Sequence, residues 1–578
     1  MKRFGFLSLG ALVLAAGSGA VGAACSSDEE AVADAGPVTP EAGASSSSSS
    51  GATTCSQETV DPSCNYAKCT ADLGGPSICV AGACKRIDND DCKQADIFGD
   101  YTNDRAIWIG GAMAMIQANG KINTSGPPRR NSIAFAVEEI NGQGGVPSTD
   151  PACNNPRPLA AIVCDDGGGR NTSGTTDVTE RIGNHLVNEL GIKAIIGGGT
   201  SNPTIALAQK STIPGNALII APSATAIAIT ALEGANLPTG ERVVWRTAPS
   251  DLLQSQALLK LYDGVVTKVG GTTKLAIVDK GDAYGKGLGD AVQAGAMLNG
   301  AAIPPGNTAD GADGGTSVAN FYRAQCAGGA TPDGGAQPCA AQITALEALA
   351  PNIVILPGTA ESITNILIPY EATTPTPRPF YLLPDGPAKT ELWNAVKADA
   401  LAGGDLVKRI QGTVPGAVTA LAKNFFDLSY KLRFPQVPDE NGTPVDSTLL
   451  FGMAGSYDAT YLLTYAMVAN NSDAKTFTGA QLAQGFAKTR DGALTNVGTA
   501  NYSAAVGALR GGQSIDFNGA SGPLDFDLTT GTAPSDMIIW CVRKNPNSAS
   551  GDYQRFDDTG LTFDSLSGAL QGTYTCPE

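Results

Sequence analysis

The stretch AIIGGGTSNPT, residues 194–204, decides how this chain is interpreted. Its apolar start, residues 194–196, predicts a short buried strand of a parallel sheet. Three glycines then let the backbone approach whatever lies above it, and Thr200, Ser201 or Asn202 can cap the helix that follows. The free amides at such a helix start can bind an anion such as an α-carboxylate, although an ordinary strand-to-helix turn has the same pattern.

The same alternation of apolar strand, polar loop and helix continues from about Ala95 to the end of the chain. Further strands are predicted at residues 159–163, 217–220, 275–278, 353–356 and 380–383. Such alternation predicts an α/β fold with parallel sheets. Each strand delivers polar residues at its C-terminal end, the edge where open α/β sheets bind ligands. Residues 311–340, rich in Gly, Asp and Ala, are interpreted as a surface loop.

Several conspicuous side chains are interpreted as structural. The stripe Tyr457, Tyr461, Tyr465 and Val468 has helical spacing and is predicted to be core or interface. A helix is predicted to begin at Asn131 or Ser132. His185 is the only histidine, and nothing places it near a strand end, so a Ser-His-Asp triad is not expected. We therefore expect no enzymatic activity, no metal site and no cofactor.

Composition limits the classes of partner. The chain has 578 residues, of which 42% are apolar, which is enough for more than one domain. Its 38 Lys and Arg against 55 Asp and Glu give a net charge of −17. An acidic surface argues against nucleic acid as a partner. The total charge says little about a small ligand, because the charge of a pocket is a local property.

Residues 1–25 are organised as a targeting segment. Lys2 and Arg3 precede an apolar run, and Gly22-Ala23-Ala24 precede Cys25. This arrangement resembles a bacterial lipoprotein signal, in which Cys25 would be lipidated; a cleaved secretory signal and a retained anchor are the alternatives. We expect an exported protein on the periplasmic face of a bacterial membrane. Residues 26–54, rich in Ser and Ala, are interpreted as a disordered tether.

Export would oxidise the cysteines. The chain has 13 cysteines, and without Cys25 an even number remains for disulfides. Six of these lie in residues 55–94, which we interpret as a small disulfide-rich module. The connectivity within the module cannot be deduced, and zinc is the competing interpretation, although the module has no C-x-x-C and no histidine. The remaining cysteines are interpreted as sequence-local disulfides: Cys153 with Cys164, Cys326 with Cys339, and Cys541 with Cys576.

Seven segments, in order along the chain, resemble the type I periplasmic binding proteins of branched-chain amino-acid ABC transporters. They are AFAVEEINGQGGV (134–146), AIIGGGTSNPT (194–204), APSAT (221–225), WRTAPSD (245–251), DAYGKGL (282–288), SYDATYLLTYA (456–466) and DFNGASGPLDFD (516–527). The resemblance covers about residues 95–540. It does not extend to residues 26–92 or to the insertion at 311–340.

This resemblance implies two α/β lobes with parallel sheets, joined by three hinge crossings. One lobe would comprise residues 95–248 and 416–521, and the other residues 249–415 and 522–578. The crossings would fall near Ala248, residues 413–416 and Gly522. Residues 98–112 depart most from the family pattern, so we expect them to shape the ligand's side-chain preference.

The resemblance also implies where a ligand would bind. Ser201, Ser223 and Thr225 of the first lobe occupy the positions that hold an amino acid's carboxylate in the family. Tyr284 and Asp385 of the second lobe occupy positions that meet its ammonium. A hydroxyl-lined anion site facing a carboxylate suits a zwitterion.

Each second-lobe residue has a structural alternative. Tyr284 could pack in the core, and Asp385 could cap the helix near Pro387. Family amino-acid binders have Glu at the place of Asp385 and an aromatic residue at the place of Gly358 and Thr359. Thr359, at this position, is counted among the expected ligand-binding residues, and a polar ligand other than an amino acid is the alternative.

Together these features predict a solute receptor. We expect a lipid-anchored, monomeric binding protein that captures an amino-acid-like ligand between its lobes and presents it to an ABC transporter permease. The alternative is a sensory or surface-recognition lipoprotein that uses the same fold without transport.

Overall fold

The computed structural model describes residues 61–117, 120–147, 157–167, 177–305, 318–326, 338–416, 421–447, 449–470, 472, 476–546, 548 and 550–576. All of them belong to one compact unit, Cys55–Glu578. The predictions for residues 1–54, Cys55 and Cys153 lie outside these ranges. Among the residues described, none of the helices combines the length and the apolar composition that a membrane span needs.

A small module comes first. Helix α1, Tyr66–Leu73, is capped by the Asn65 side chain, which accepts a hydrogen bond from the Lys68 backbone N–H. A hairpin of β1, Ser77–Val80, and β2, Ala83–Arg86, packs against it. The disulfides Cys64–Cys79 and Cys69–Cys84 join the helix to the hairpin.

The last cysteine of the module bonds to the following domain. Cys92 forms a disulfide with Cys164, so the predicted pairing of Cys153 with Cys164 is wrong. The physical reason is that Cys164 lies near the end of the strand Leu159–Asp165, where Ile87 and Cys92 of the module pack in the same apolar cluster. His185 supports the same junction, because its Nε2–H donates to the Ile87 carbonyl at 2.9 Å.

The first sheet follows the predicted parallel pattern. Its strands are β3 Ile97–Gly99, β4 Ile107–Met113, β5 Leu159–Asp165, β6 Ala194–Gly197, β7 Leu218–Ala221 and β8 Val244–Arg246. Their order is β3-β5-β4-β6-β7-β8, and only β3 among them is antiparallel to its neighbour. The helices are α2 Gly126–Gly142, α3 Val178–Gly183, α4 Ser201–Leu207 and α5 Ile227–Thr230, with α3 and α4 continued by π turns at Asn184–Glu189 and Ala208–Thr212.

Two details differ from the sequence analysis. Residues 98–112 contribute the central strand β4 and do not line the interlobe cavity described below. Helix α2 begins at Gly126 rather than at Asn131 or Ser132, because Pro127 and Pro128 fit a first helical turn, whose N–H groups need no partner within the helix.

The second lobe contains the next run of elements. The strands are β9 Leu275–Asp279, β10 Met297–Leu298, β11 Ala301–Ala302, β12 Phe321–Gln325, β13 Ile353–Ile355, β14 Phe380–Leu383 and β15 Ile410–Pro415. The helices are α6 Asp251–Val269, α7 Ala283–Gly295, α8 Ala340–Leu349, α9 Ile368–Ala372, preceded by π turns at Ser362–Leu367, and α10 Thr390–Leu401. Strand β12 pairs with β9, so the insertion predicted as a loop contains an edge strand, closed by the predicted disulfide Cys326–Cys339.

The chain then returns to the first lobe and crosses once more. The returning elements are α11 Leu421–Arg433, β16 Gln436–Pro438, β17 Pro444–Asp446, α12 Met453–Ala469, α13 Gly479–Phe486, β18 Ala493–Asn496, α14 Thr499–Arg510 and β19 Ile515–Asn518. The final strands β20 Met537–Lys544, β21 Tyr553–Phe556, β22 Leu561–Asp564 and β23 Ala569–Gly572 extend the second sheet. Because β20 is antiparallel to β15, this sheet is mixed; Cys541–Cys576 closes its end as predicted.

The crossings lie after β8, after β15 and between β19 and β20. The third falls later in the chain than Gly522. The backbone N–H groups of Ala520 and Ser521 donate to the Asp458 carboxylate at 2.8 and 2.7 Å, and the Arg246 backbone N–H donates to the Gly531 carbonyl at 3.1 Å. Residues up to Gly531 therefore still pack on the first lobe.

Helix α12 forms the centre of the first core. Tyr457, Tyr461 and Tyr465 are buried with the apolar faces of α2 and the sheet, which confirms that the tyrosine stripe is core. The hydroxyls of Tyr457 and Tyr461 both donate to the Glu139 carboxylate.

We expect the double variant Cys92→Ala/Cys164→Ala to lose about 2–4 kcal/mol of unfolding free energy, because the bridge closes a 72-residue separation. Urea unfolding would measure it. The matched control, Cys326→Ala/Cys339→Ala, removes a bridge between residues only 13 positions apart. It should lose less unfolding free energy. Equal or reversed losses would contradict the loop-entropy explanation.

Burial raises the pKa of Asp458 to about 6. A folded-state pKa above the unfolded value of about 3.9 means that this carboxyl contributes full stability below about pH 4 and loses it as the pH rises through 6. Relative to Asp458→Asn, the native chain should therefore lose about 3 kcal/mol of unfolding free energy between about pH 4 and pH 7. Urea unfolding across this range would test it, with the exposed Asp263→Asn as control; parallel pH curves for the native chain and Asp458→Asn would refute it.

Candidate functional site

A cavity of about 70 Å³ lies between the carboxyl-terminal edges of the two sheets. Loops that follow β6, β7, β9, β13 and β14 supply its walls. The cavity brings together all the residues predicted for a ligand: Ser201, Ser223, Thr225, Tyr284, Thr359 and Asp385. Their role in binding remains a prediction, but their common location is a property of the fold.

A larger cavity, of about 420 Å³, lies between the cysteine module and the first sheet. It opens beside Ile107 and Ala194, the first residues of β4 and β6. Open α/β sheets bind ligands at the opposite, carboxyl-terminal edge. Size alone therefore does not make this cavity the functional site.

The first-lobe wall is the glycine loop after β6. The Gly199 backbone N–H donates to the Asp166 carboxylate at 2.6 Å, so one loop amide already has an anionic partner. The Ser201 hydroxyl accepts a hydrogen bond from the Ala226 backbone N–H at 3.3 Å and keeps its own proton to donate. The Ser223 hydroxyl donates to the Gly199 carbonyl at 3.1 Å. The Gly199 amide and the Ser223 hydroxyl proton are therefore already used within this wall, whereas the Ser201 hydroxyl proton is not.

The second-lobe wall centres on Asp385. The Tyr284 hydroxyl donates to its carboxylate at 3.0 Å and accepts from the Gly386 backbone N–H at 3.3 Å. Burial raises the pKa of Asp385, although hydrogen bonds from Gln254 and Tyr284 oppose the shift. Helix α10 begins at Thr390 with Lys389 before it, so Asp385 does not cap that helix. Tyr284 is both a core residue and a cavity residue.

Thr359 has a local partner. Its backbone N–H and its hydroxyl both donate to the Glu361 carboxylate. A Cβ on Gly358 would lie 2.7 Å from a Glu361 carboxylate oxygen, so a larger residue at this position would require the Glu361 side chain to move.

Four cations that line the cavity were not predicted from the sequence: Arg129, Lys280, Lys389 and Arg555. Arg129 donates to the Gly199 carbonyl at 3.0 Å and to the Phe451 carbonyl at 3.0 and 2.8 Å, and burial lowers its pKa to about 10. Lys280 directly follows β9, so the rule that strand ends face the ligand could have identified it. Arg129 and Lys389 lie at helix starts, and no sequence signal aims them at the cleft.

A buried carboxyl also lies behind the cavity. Asp251, at the start of α6, is fully buried, and burial raises its pKa well above the ordinary value, with Asp385 adding to the shift. Its backbone N–H donates to the Thr225 carbonyl at 2.8 Å. The guanidinium of Arg246 lies near enough to oppose this shift. These groups connect the first hinge crossing to the floor of the cavity.

One hydrogen bond joins the two lobes at the rim. The Ala283 backbone N–H, at the start of α7, donates to the Asn202 side-chain oxygen of the first lobe at 3.1 Å. Ala283 also packs against the apolar cluster beneath α4. The fold and this cavity thus define a two-lobed α/β protein whose cleft is bridged at its rim.

No protein-family model matches the chain, and no curated protein sequence matches it. Solved structures do match its fold. The leucine-binding protein LivK of Thermotoga maritima gives a TM-score of 0.51 at 17% identity, over 81% of this chain and 99% of that chain. LivJ, a branched-chain amino acid transporter substrate-binding protein of Streptococcus pneumoniae in complex with isoleucine, gives 0.51 at 16% identity, over 81% of this chain and 100% of its own.

At this identity the similarity establishes the fold. The chain has the type I periplasmic-binding-protein fold, and the resemblance predicted from its seven segments is confirmed at that level. The disulfide-rich module precedes this fold, as predicted.

Loss of the rim hydrogen bond should favour the open form. We expect Asn202→Ala to shift the ligand-free equilibrium between open and closed lobes by about 1 kcal/mol, or roughly fivefold, towards the open form. Small-angle X-ray scattering should then give a larger radius of gyration. Asn202→Asp keeps the acceptor oxygen and is the matched control; identical scattering for the native chain and Asn202→Ala would refute a closing role for Asn202.

Proposed function

We propose that this chain is an extracytoplasmic solute-binding protein. It captures a small polar ligand of the amino-acid or amide type between its lobes and delivers it to the permease of an ABC transporter. The observation that carries the proposal is the common cavity in which hydroxyls of one lobe face a buried carboxylate of the other. The two matched structures are named as binding proteins rather than enzymes, which agrees with this function.

The walls suit the two ends of an amino acid. The Ser201 and Thr225 hydroxyls, with the Arg129 guanidinium beside them, would hold a carboxylate by charge-assisted hydrogen bonds. Asp385, oriented by the Tyr284 hydroxyl, would accept an ammonium group. Since these groups belong to different lobes, a ligand that bridges them binds the closed form better and shifts the population towards it.

The proposal extends to location. The basic and apolar start of the chain and the small residues before Cys25 support export and lipid anchoring. Residues 26–54 would then give the binding lobes reach from the membrane. We propose that the protein acts there as a monomer.

A sensory receptor is the second candidate. The Cys92–Cys164 bridge and the His185 contact fix the cysteine module rigidly to the first lobe, which gives the protein an additional surface for a macromolecule. Affinity capture from a membrane extract would separate the two functions. A permease partner supports transport, whereas a sensor protein without a permease supports signalling.

Binding should depend on both walls. In calorimetric titrations with amino acids, amides and short organic anions, we expect at least one saturable ligand. Ser201→Ala and Asp385→Asn should each weaken it about tenfold to a hundredfold, because each removes a hydrogen bond to a charged group of the ligand. The exposed Asp263→Asn is the control and should bind as the native chain does. Absence of any saturable binding, or unchanged affinity in both cavity variants, would refute the proposed site.

A further inference from the structure

The charges around the cavity do not cancel. Lys280 forms an ion pair with Asp282 at 3.3 Å, so these two residues compensate each other. The guanidinium of Arg129 donates only to carbonyl groups in the hydrogen bonds given above. The Lys389 ammonium has no hydrogen bond or ion pair within the described part of the chain. Among the described residues that line the cavity, these two cations therefore face one buried carboxylate, that of Asp385.

The remaining cavity cation is compensated elsewhere. Arg555, on β21, also reaches the cavity, but its guanidinium pairs with Asp557 at 2.7 Å. The excess of positive charge therefore belongs to Arg129 and Lys389, in a protein whose total charge is −17. A positively charged cleft in a negatively charged protein attracts anionic ligands, because the electric field is concentrated in the cleft.

Both cations have donors to spare. A guanidinium carries five N–H donors, and Arg129 uses three of them on the Gly199 and Phe451 carbonyls. An ammonium carries three donors. Burial lowers the pKa of Lys389, and the carboxylates of Glu391 and Glu361 oppose this shift, although neither forms an ion pair with the ammonium. An anionic ligand would supply that ion pair.

The cavity offers little to an aliphatic side chain. Among the described residues that line it, the aliphatic and Phe side chains are those of Ala388, Leu450 and Phe451. An aliphatic ligand side chain would have these residues and the Tyr284 ring to contact, whereas most of the other lining side chains are polar or charged. As a zwitterion, a branched-chain amino acid would also leave one of the two partly buried cations without an ion pair, and removing water from an unpaired charge is unfavourable.

We propose that the ligand carries two carboxylate groups and a net negative charge. One carboxylate would lie against Arg129 and the first-lobe hydroxyls, and the other against Lys389. This inference rests on the proposed function and specifies its substrate class. Two kinds of molecule carry such a pair of carboxylates. One is an acidic amino acid, whose ammonium would meet Asp385, and the other is a dicarboxylate without an amino group.

Two ligands of nearly the same shape but different charge test the effect of the ligand's charge on binding. Calorimetric titration of the full-length mature protein at neutral pH should give at least tenfold tighter binding for L-glutamate than for L-glutamine, which has nearly the same shape. L-Leucine should bind more weakly than either. Glutarate binding as tightly as L-glutamate would support the dicarboxylate source, and much weaker glutarate binding would support the acidic amino acid.

A variant assigns the effect to one residue. Lys389→Met should weaken L-glutamate at least tenfold and leave L-glutamine nearly unchanged, so that the ratio of the two affinities collapses. The matched control is Lys286→Met, on the same lobe, whose exposed lysine pairs with Asp290 outside the cavity. The ratio measured on the native chain is informative even where a variant does not fold.

The outcomes separate this inference from the proposed function. Preference for L-glutamine or L-leucine over L-glutamate would overturn the dianionic ligand and leave a solute-binding protein. An unchanged affinity ratio in Lys389→Met would overturn the assignment to that lysine. If no amino acid, amide or organic acid shows saturable binding, the proposed function fails and this inference fails with it.

Discussion

The site depends on one constraint: strands β4, β5, β6, β7 and β8 of the first sheet all run parallel. In a parallel sheet every strand ends at the same edge, so the loops after β6 and β7 lie side by side although the chain between them forms a helix. Strands β9, β13 and β14 impose the same order on the second lobe. When the hinge places the two edges opposite each other, residues distant in sequence line one cavity.

The cavity combines groups that are unfavourable to bury. Arg246 donates to the Thr225 and Ala226 carbonyls at 3.0 and 2.8 Å, and thereby holds the loop after β7 against the hinge. Asp251 lies next to it, fully buried. Charged groups in such places are retained where they orient loops or meet a ligand, because apolar residues of the same size would stabilise the fold equally well or better. The hydrogen bonds of Arg246 therefore give this buried charge an orienting role for the loop after β7.

The disulfides show that nearness along the sequence does not by itself decide which cysteines pair. Cys326–Cys339 and Cys541–Cys576 were predictable, because each closes a short segment within one lobe. Cys164 has a nearer cysteine along the chain but pairs with Cys92, since a disulfide requires Cα atoms about 4–7 Å apart and only the fold sets that distance. Central strand β4 was missed for a related reason: its glycines, Gly110 and Gly111, weaken the apolar pattern, yet they let Leu186 and Val163 approach closely.

From the sequence alone, several of the strands and the cavity residues that follow strand ends, such as Ser223 and Asp385, could be predicted, and the resemblance of seven short motifs implied the two-lobed fold. Local apolar patterns and short motifs carry that information, because strand ends in parallel sheets converge wherever the fold occurs. Only the tertiary structure decided that Arg129 and Lys389 face the same cavity. A long side chain at a helix start can point to solvent or to the cleft, and the direction depends on packing between segments hundreds of residues apart.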